Sequence, residues 1–481
     1  MTVSNIVLQS AIFILYFSLM LLVVLFSYRR QQSDTDFILG NRSLNFWLTA
    51  LSAQASDMSS WLFLGYPALV FGGGVFATWA AIGLIIGMFL NWHFVAPRLR
   101  AITGQFGSLT LSDYFEKRFQ DPSGGLRIIA GLMSVVFFTI YISSGLVAMG
   151  ILVESLLGLS YYLGITLGLF IVVGYVFVGG YRTVAWIDLF QGFFLLGVVI
   201  FIPTYLLIKI GGLAPVLEAV GRQNLTTTLF PAIGGWALWK ILMIAAGWGL
   251  GYFGQPHILT KFMGIRDPSE MGKAKYLGMS WLVLALGAAT LIGLLGIFLF
   301  PQGLEDTQQV VLSIVKTTMA PVFAALVLCA ILAATTNVMA AHILIVASNL
   351  SEDFYKKMFR RTPSVKKLLR VSRISVLLTA IVGMTIAYFK PSTIYHLVLY
   401  AWSGLGASFG PLVLLSLYMK NLNRYAAFAG ILVGGVTSAL WPYLNHLYHW
   451  EIAPIIPGFV LSVVAIYGTT LLTRRSHCKI S

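Results

Sequence analysis

The sequence predicts an all-α integral membrane protein with about thirteen transmembrane helices. Of the 481 residues, 58% are hydrophobic and only 10% are charged, and the mean hydropathy is +0.87. A soluble domain carries roughly 25% charged residues, so this chain lacks the polar residues that a water-facing surface needs. The 12 Trp and 21 Tyr suit the lipid–water boundary, where such rings are enriched.

Apolar runs define the predicted helices, because a bilayer core requires about 20 apolar residues for each spanning helix. Thirteen runs qualify: 6–27, 46–71, 74–96, 127–156, 160–180, 186–208, 236–260, 276–300, 318–349, 371–389, 393–419, 425–445 and 453–473. The polar segments between them are too short for a core of their own. We therefore expect a single transmembrane domain over residues 1–481.

Lys and Arg residues predict how the chain is oriented in the membrane. When the loops are assigned alternately to the two sides, 26 of the 31 basic residues fall on one side and 5 on the other. Cytoplasmic loops carry an excess of Lys and Arg. This asymmetry predicts a multi-pass protein of the cell (inner) membrane, with its N-terminus outside and its C-terminus in the cytoplasm.

The composition also argues against other classes. The net charge of +15 would suggest a nucleic-acid partner in a soluble protein, but here the basic residues lie in short loops without interleaved aromatic residues. The two cysteines, Cys329 and Cys478, imply no disulfide framework. HExxH and P-loop signatures do not occur, so we expect neither an enzyme nor an organic cofactor, and no obligatory protein partner is evident.

Asp57 lies in the middle of the second apolar run, within the polar, small-residue stretch AQASDMSSW at 53–61. A charge inside a membrane helix is costly and by default marks a function. Ser and Asp side chains compete with the backbone hydrogen bonds of a helix, so the helix is easily unwound here and would expose carbonyl groups to a cation. The alternative is a purely structural pairing of Asp57 with a neighbouring helix.

The seventh run contains a second interruption, GWGLGYFGQPH at 247–257. Each glycine costs a helix about 1 kcal/mol relative to Ala, and Pro256 removes a backbone donor. Two discontinuous helices in corresponding positions indicate an inverted-repeat transporter with a midplane site. Close packing through small residues is the alternative, although Trp248 and Tyr252, four residues apart on one face, fit a solute pocket better.

The repeat interpretation divides the chain into two halves of five helices. The predicted repeats cover about 46–208 and 236–419, and the extra helices are 6–27, 425–445 and 453–473. Asp188 lies near the start of the sixth run and close to Arg182, so a local ion pair and a functional carboxylate both remain open. His342, in the ninth run, is interpreted as a core histidine or as a possible proton carrier.

Several motifs resemble those of the solute:sodium symporter family, and within it those of sodium/proline symporters. They extend over nearly the whole chain: DFILG at 36–40, ASDMS at 55–59, FTIY at 138–141, GGYRTVAWID at 179–188, WGLGYFGQPH at 248–257, SEDFYK at 351–356 and AWSGLG at 401–406. The resemblance implies a five-plus-five inverted-repeat fold that works by alternating access.

The resemblance also implies two groups of site residues. Na⁺, the expected coupling ion, would lie where the second helix breaks against the ninth, near Ala55, Asp57, Met58, Ala334, Asn337 and Asp188. The solute would be bound by Ser59, Ser60, Tyr141, Trp248, Tyr252, Gln255 and Pro256.

The sequence departs from the family pattern at the ion site. Where the family has two adjacent hydroxyl residues, this chain has Asn337 and Val338, and Ala340 and Ala341 replace polar residues beside Asp188. The Asn carbonyl is an acceptable hard-oxygen ligand, but the Val side chain is not. Thr335, one turn away and displaced by about 4.5 Å along the axis, offers a possible replacement.

The substrate region departs as well. Ser60 and Gln54 replace small residues of proline transporters, so the solute could be an amino acid other than proline.

The expected function is therefore a secondary active transporter that imports proline or a similar small amino acid in symport with Na⁺. One alternative keeps the fold but couples to H⁺ through Asp57, Asp188 or His342, or exchanges solutes without Na⁺. A second alternative is a solute sensor or regulatory membrane protein that binds without transport.

Overall fold

Helices account for nearly all of the residues in the computed structural model, which describes residues 3–27, 38–230, 235–356 and 365–478. No β-strand occurs within these ranges, where a single isolated bridge joins Leu44 to Ile265. Nine of the helical stretches described are long and apolar enough to cross a membrane, and two shorter apolar helices accompany them. The prediction of an all-α, multi-pass membrane protein is confirmed.

The α-helices are numbered here in chain order. They are α1 (Val3–Ser27), α2 (Phe46–Asp57), α3 (Gly65–Gly73), α4 (Trp79–Leu90), α5 (Ala96–Gln105), α6 (Leu111–Arg118), α7 (Gly125–Leu157), α8 (Tyr161–Ile210), α9 (Ala214–Arg222), α10 (Gly235–Gly249), α11 (Pro256–Met263), α12 (Met271–Leu299), α13 (Val310–Thr318), α14 (Pro321–Ser348), α15 (Val365–Tyr388), α16 (Ile394–Tyr418), α17 (Arg424–Tyr448) and α18 (Ile455–Cys478). Residues 36 and 37, which begin the first family-like motif, lie outside the described residues.

Helices α7, α14 and α16 form the centre of the bundle. In the most apolar 18-residue stretch of each of these helices, 83% is buried inside the protein. The corresponding share is 33% in α17 and 28% in α18. Helices that are apolar on all sides and buried belong to the core, whereas the last two helices present apolar faces outward, as lipid contact requires. The polar interruptions described below therefore lie beside the most enclosed helices.

The fifth and sixth predicted runs form one continuous helix in the structure, α8. The predicted runs 160–180 and 186–208 imply a connecting turn between them, but the backbone remains helical through Gly179 and Gly180. As a straight rod, these 50 residues would extend about 75 Å, more than twice the roughly 30 Å thickness of the hydrocarbon core.

Two predicted runs are interrupted at the positions where the sequence is polar or rich in glycine. The second run separates into α2 and α3, because Met58 (ψ 84°) leaves the helical conformation and Ser59 is extended. The seventh run separates into α10, a tight 3₁₀ turn over Leu250–Gly254, and α11, with an extended Gln255 before Pro256.

An ion-pair cluster joins three segments at one end of the bundle. The guanidinium of Arg127, at the start of α7, lies 2.6 Å from Asp353 and 3.2 Å from both Asp113 and Glu116. The hydroxyl of Thr110 also donates to Asp353, at 3.1 Å. The cluster ties α6 and α7 to the π-helical segment Asn349–Lys356 that follows α14.

Glycines allow α4 and α10 to approach at backbone distance, just before the break in the seventh run. A Cβ atom added at Gly87 would lie 2.2 Å from the carbonyl oxygen of Gly249, and one at Gly83 would lie 2.2 Å from that of Ala245. Small residues allow membrane helices to pack this closely. The position of the broken helix therefore depends on these glycines.

We expect Gly87→Ala to lower the thermal stability of the detergent-purified protein, because overpacking at such a contact costs about 1–3 kcal/mol. Gly287→Ala is the matched control, since no atom lies within 4 Å of its added Cβ. Thermal unfolding of both variants tests the contact. Equal melting temperatures would contradict the proposed importance of the α4–α10 crossing.

Candidate functional site

A hydrogen bond joins the two interrupted helices. The Tyr252 hydroxyl, in the 3₁₀ turn after α10, donates to Oδ2 of Asp57 at 2.6 Å. Both side chains are buried, at 5% and 0% exposure. Asn91 supports the turn by donating its amide to the carbonyl of Tyr252 at 3.0 Å. The carboxylate of Asp57 is thus hydrogen-bonded to the neutral hydroxyl of Tyr252.

The break after α2 redirects backbone hydrogen bonds away from two carbonyl groups. In a continuing helix, the N–H groups of Ser59 and Leu62 would donate to the carbonyls of Ala55 and Met58. Instead, they donate to Asp57 and Ser59, at 3.1 and 3.0 Å. The oxygens of Ala55 and Met58 are therefore released from the helix ladder, at the negative end of the α2 dipole.

Aromatic rings line a small cavity beside this break. Its lining comprises Asp57, Met58, Trp61, Leu84, Tyr141, Trp248, Val398 and Trp402. The rings of Trp61 and Trp248 lie 4.7 Å apart, and the Trp402 indole N–H donates to the carbonyl of Trp248 at 3.0 Å. The carboxylate of Asp57 is the one charged group in the lining.

Trp248 also lines a second, larger cavity. This cavity has a volume of about 830 Å³, and Tyr395, His396, His446 and Glu451 contribute to its walls. Trp248 therefore contributes to the walls of both the large cavity and the small cavity at Asp57.

The second half of the broken seventh run lies away from the cavity at Asp57. The side-chain amide of Gln255 donates to the carbonyls of Trp402 and Gly251, at 3.0 and 3.2 Å. Pro256 lines a separate small cavity together with Thr260 and residues of α14. Of the predicted solute contacts, Tyr141 and Trp248 share the cavity with Asp57, whereas Pro256 does not.

Helix α14 contributes buried polar groups whose partners differ. The hydroxyl of Thr335 donates to the carbonyl of Ile331 at 2.7 Å, within its own helix. Both polar atoms of the Asn337 side chain are buried and have no hydrogen-bond partner among the described residues, and the same holds for the Ser60 hydroxyl beside the break. The side-chain oxygen of Asn337 thus accepts no hydrogen bond from the described residues. Ala334 is fully buried one turn earlier.

His342 packs in an aromatic cluster next to the solute residues. Its ring lies 4.3 Å from Tyr141, 4.7 Å from Phe138 and 4.7 Å from His257. The ring nitrogens of both histidines are buried without partners among the described residues.

Asp188 lies in neither cavity and forms a buried ion pair. Its Oδ2 accepts a hydrogen bond from Lys261 Nζ at 2.8 Å and from Ser56 Oγ at 3.1 Å. The predicted alternative of a salt bridge to Arg182 was therefore wrong about the partner. Lys261 directly follows the predicted run 236–260, and the sequence therefore predicts it in the loop after that run, among the 26 basic residues of one side. The structure buries it in α11 instead, since Asp188 compensates its charge.

Three side chains of this region were not assigned a role from the sequence. Trp61 and Trp402 complete the aromatic lining; Trp61 lies in the AQASDMSSW stretch and Trp402 in the AWSGLG motif, and these two stretches were the available signals. Lys261 follows the apolar residues Ile258 and Leu259, so a charge in an apolar stretch was the available signal.

Comparison with known proteins assigns the chain to a family. Residues 37–434 match the family model described as "Sodium:solute symporter family". The chain is 38% identical over 462 residues to the high-affinity proline transporter PutP of Bacillus subtilis. The aligned region covers 95% of this chain and 96% of that relative. It is 37% identical over 480 residues to a sodium/proline symporter of Staphylococcus aureus, covering 97% and 93% of the two chains.

Solved structures show the same fold at low sequence identity. A Na⁺-coupled sialic acid symporter in a substrate-bound, outward-open state has a TM-score of 0.81 and 19% identity, with 97% of both chains covered. MhsT in complex with L-phenylalanine has a TM-score of 0.57 and 13% identity, covering 89% of this chain and 98% of that chain. At these identities the likeness concerns the fold alone.

We expect Tyr252→Phe to destabilise the protein by about 1–3 kcal/mol, because it leaves a buried carboxylate without its hydroxyl donor. Tyr66→Phe is the matched control. It removes a bond of similar length, 2.7 Å, between two neutral hydroxyls, so its cost should be about 1 kcal/mol or less. Thermal unfolding compares the two, and a larger loss in Tyr66→Phe would contradict the central role of the Asp57 bond.

Proposed function

The chain belongs to the sodium:solute symporter family, and we propose that it imports proline in symport with Na⁺. The observation that carries this proposal is identity of 37–38% over at least 95% of this chain with three relatives. These relatives are named high-affinity proline transporter, osmoregulated proline transporter and sodium/proline symporter. A similar small amino acid remains the nearest alternative solute.

The proposed architecture is thirteen spans with two inverted five-helix repeats, over about 46–208 and 236–419, and it requires the chain to reverse direction within α8, between the fifth and sixth apolar runs. The two helix interruptions, after Asp57 and at Gln255, support it, because each repeat then carries one discontinuous helix in a corresponding position. The Lys and Arg distribution supports an N-terminus outside and a C-terminus in the cytoplasm. Alternating access would move the two interrupted helices relative to the rest of the bundle.

The proposed Na⁺ site is formed where α2 ends against α14. The carbonyl oxygens of Ala55 and Met58 accept no hydrogen bond from the α-helical ladder, and we propose them as two Na⁺ ligands. The carbonyl of Ala334 and the side-chain oxygen of Asn337 are the other two proposed ligands. Oxygen ligands suit a hard cation, and the negative end of the α2 dipole favours positive charge. Asp57 adds a negative charge beside these oxygens.

The proposed solute site is the aromatic cavity at Asp57. The faces of Trp61, Trp248 and Trp402 offer apolar contact for a pyrrolidine ring, and the Asp57 carboxylate suits the charged secondary amine of proline. Tyr141 lines the same cavity, and we add Ser59 and Ser60 from the break after α2, together with Tyr252, which bonds Asp57. The N-terminus of α11, at Gln255 and Pro256, would supply a positive dipole end for the solute carboxylate once the helices have moved.

We expect uptake of radiolabelled proline into proteoliposomes to require an inward Na⁺ gradient and to be lost in Asp57→Ala. Na⁺, Li⁺ and proton gradients are imposed separately, with empty liposomes as the control. Proton coupling through Asp57, Asp188 or His342 would instead give Na⁺-independent uptake that rises steeply at acidic pH. Saturable proline binding without uptake under any gradient would favour the sensor hypothesis.

We expect Asn337→Ala to raise the Na⁺ concentration for half-maximal uptake about tenfold, which corresponds to the loss of one ligand worth about 1.4 kcal/mol. The KM for proline at saturating Na⁺ should change much less. Thr335→Val is the matched control on the same helix, because the Thr335 hydroxyl is already bonded to Ile331. A larger Na⁺ effect in Thr335→Val would show that Thr335, and not Asn337, supplies the oxygen.

A further inference from the structure

Asp188 is enclosed by donors from both interrupted helices. Lys261 of α11 donates to its Oδ2 at 2.8 Å, and Ser56 and Ser52 of α2 donate to the same oxygen. The side chains of Lys261 and Asp188 are 3% and 0% exposed. The other carboxylate oxygen, Oδ1, is buried without a partner among the described residues.

These groups have the chemistry of a small cation site. A carboxylate and two hydroxyl oxygens are hard ligands of the kind that alkali and alkaline-earth cations prefer. The cation present is the Lys261 ammonium, a compact group with a single positive charge. The Tyr181 ring centroid lies 5.0 Å from Nζ, so an aromatic face covers a further side of the ammonium.

We infer that Lys261 is a resident cation at Asp188: its tethered ammonium occupies the place that a free Na⁺ would take. Asp188 then neither binds nor releases a transported ion, although the family resemblance implied a link to sodium coupling. This inference rests on the proposed function. It assigns one Na⁺ to each transported proline, and that Na⁺ binds near Asp57.

The tether explains why the charge remains in place during a transport cycle. Lys261 lies in α11 and the two serines in α2, the halves of the interrupted helices that are proposed to move. A free ion at such a junction dissociates when the helices separate, whereas the ammonium is covalently attached to one of them. In the state described, Asp188 is thereby neutralised without drawing on the ion gradient.

The inference is tested by removing the tethered charge and supplying Na⁺ instead. In Lys261→Met, which keeps most of the stem, the Tm in choline chloride should fall below that of the wild type. Replacing choline with Na⁺ at constant ionic strength should then raise the Tm by several degrees more than in the wild type, since an ion that binds the folded state stabilises it.

Lys261→Met combined with Asp188→Asn is the matched control, because it removes both charges. Its response to Na⁺ should equal that of the wild type. A Lys261→Met protein whose Tm is low and no more sensitive to Na⁺ than the wild type would overturn the inference, and the pair would be purely structural.

A measurement on the unmodified protein covers the case in which Lys261→Met fails to fold. Equilibrium binding of radiolabelled ²²Na⁺ should give no more than one ion per chain, and two ions would overturn the inference. Failure of the proposed function is distinguishable, because proline uptake would then be independent of Na⁺ in the wild type. The Tm comparison between the two variants does not depend on transport.

Discussion

The hydrogen bond between Tyr252 and Asp57 is the contact on which the polar centre of this protein depends. A bilayer core provides no water for unpaired backbone groups, so irregular backbone is tolerated only where it is buried in protein or lines a cavity. Here two interrupted helices stabilise each other: one supplies the carboxylate and the other the hydroxyl, 2.6 Å apart. The interruptions are thereby held together at the centre of the bundle.

The surrounding packing makes that contact possible. Gly83 and Gly87 bring α4 to within backbone contact of α10, so the turn that carries Tyr252 leaves α10 next to Asn91, which bonds its carbonyl. Trp402 then bridges to the carbonyl of Trp248. A polar break inside an apolar bundle therefore requires two kinds of neighbour, small residues for approach and indole or amide donors for the freed carbonyls.

The sequence predicted the helical class and the positions of both interruptions, because apolar run length and helix-breaking residues are local properties. It also singled out Asp57, Trp248 and Tyr252. It did not predict the continuity of α8, because glycine alone does not force a turn when the helix ladder can continue through it. The partner of Asp188 was missed because Lys261 lies 73 residues away in the chain, and such pairings arise only from tertiary packing.

Asp57 and Asp188 differ in how their charge is compensated, and this difference bears on where an ion binds. Asp188 faces the ammonium of Lys261, so its negative charge is already balanced inside the protein. Asp57 faces the neutral hydroxyl of Tyr252, which donates a hydrogen bond but brings no positive charge. An isolated buried carboxylate costs several kcal/mol in desolvation, and a cation on the freed oxygens of Ala55 and Met58 would offset that cost. The distribution of fixed charge thus favours ion binding at Asp57, independently of any resemblance to other proteins.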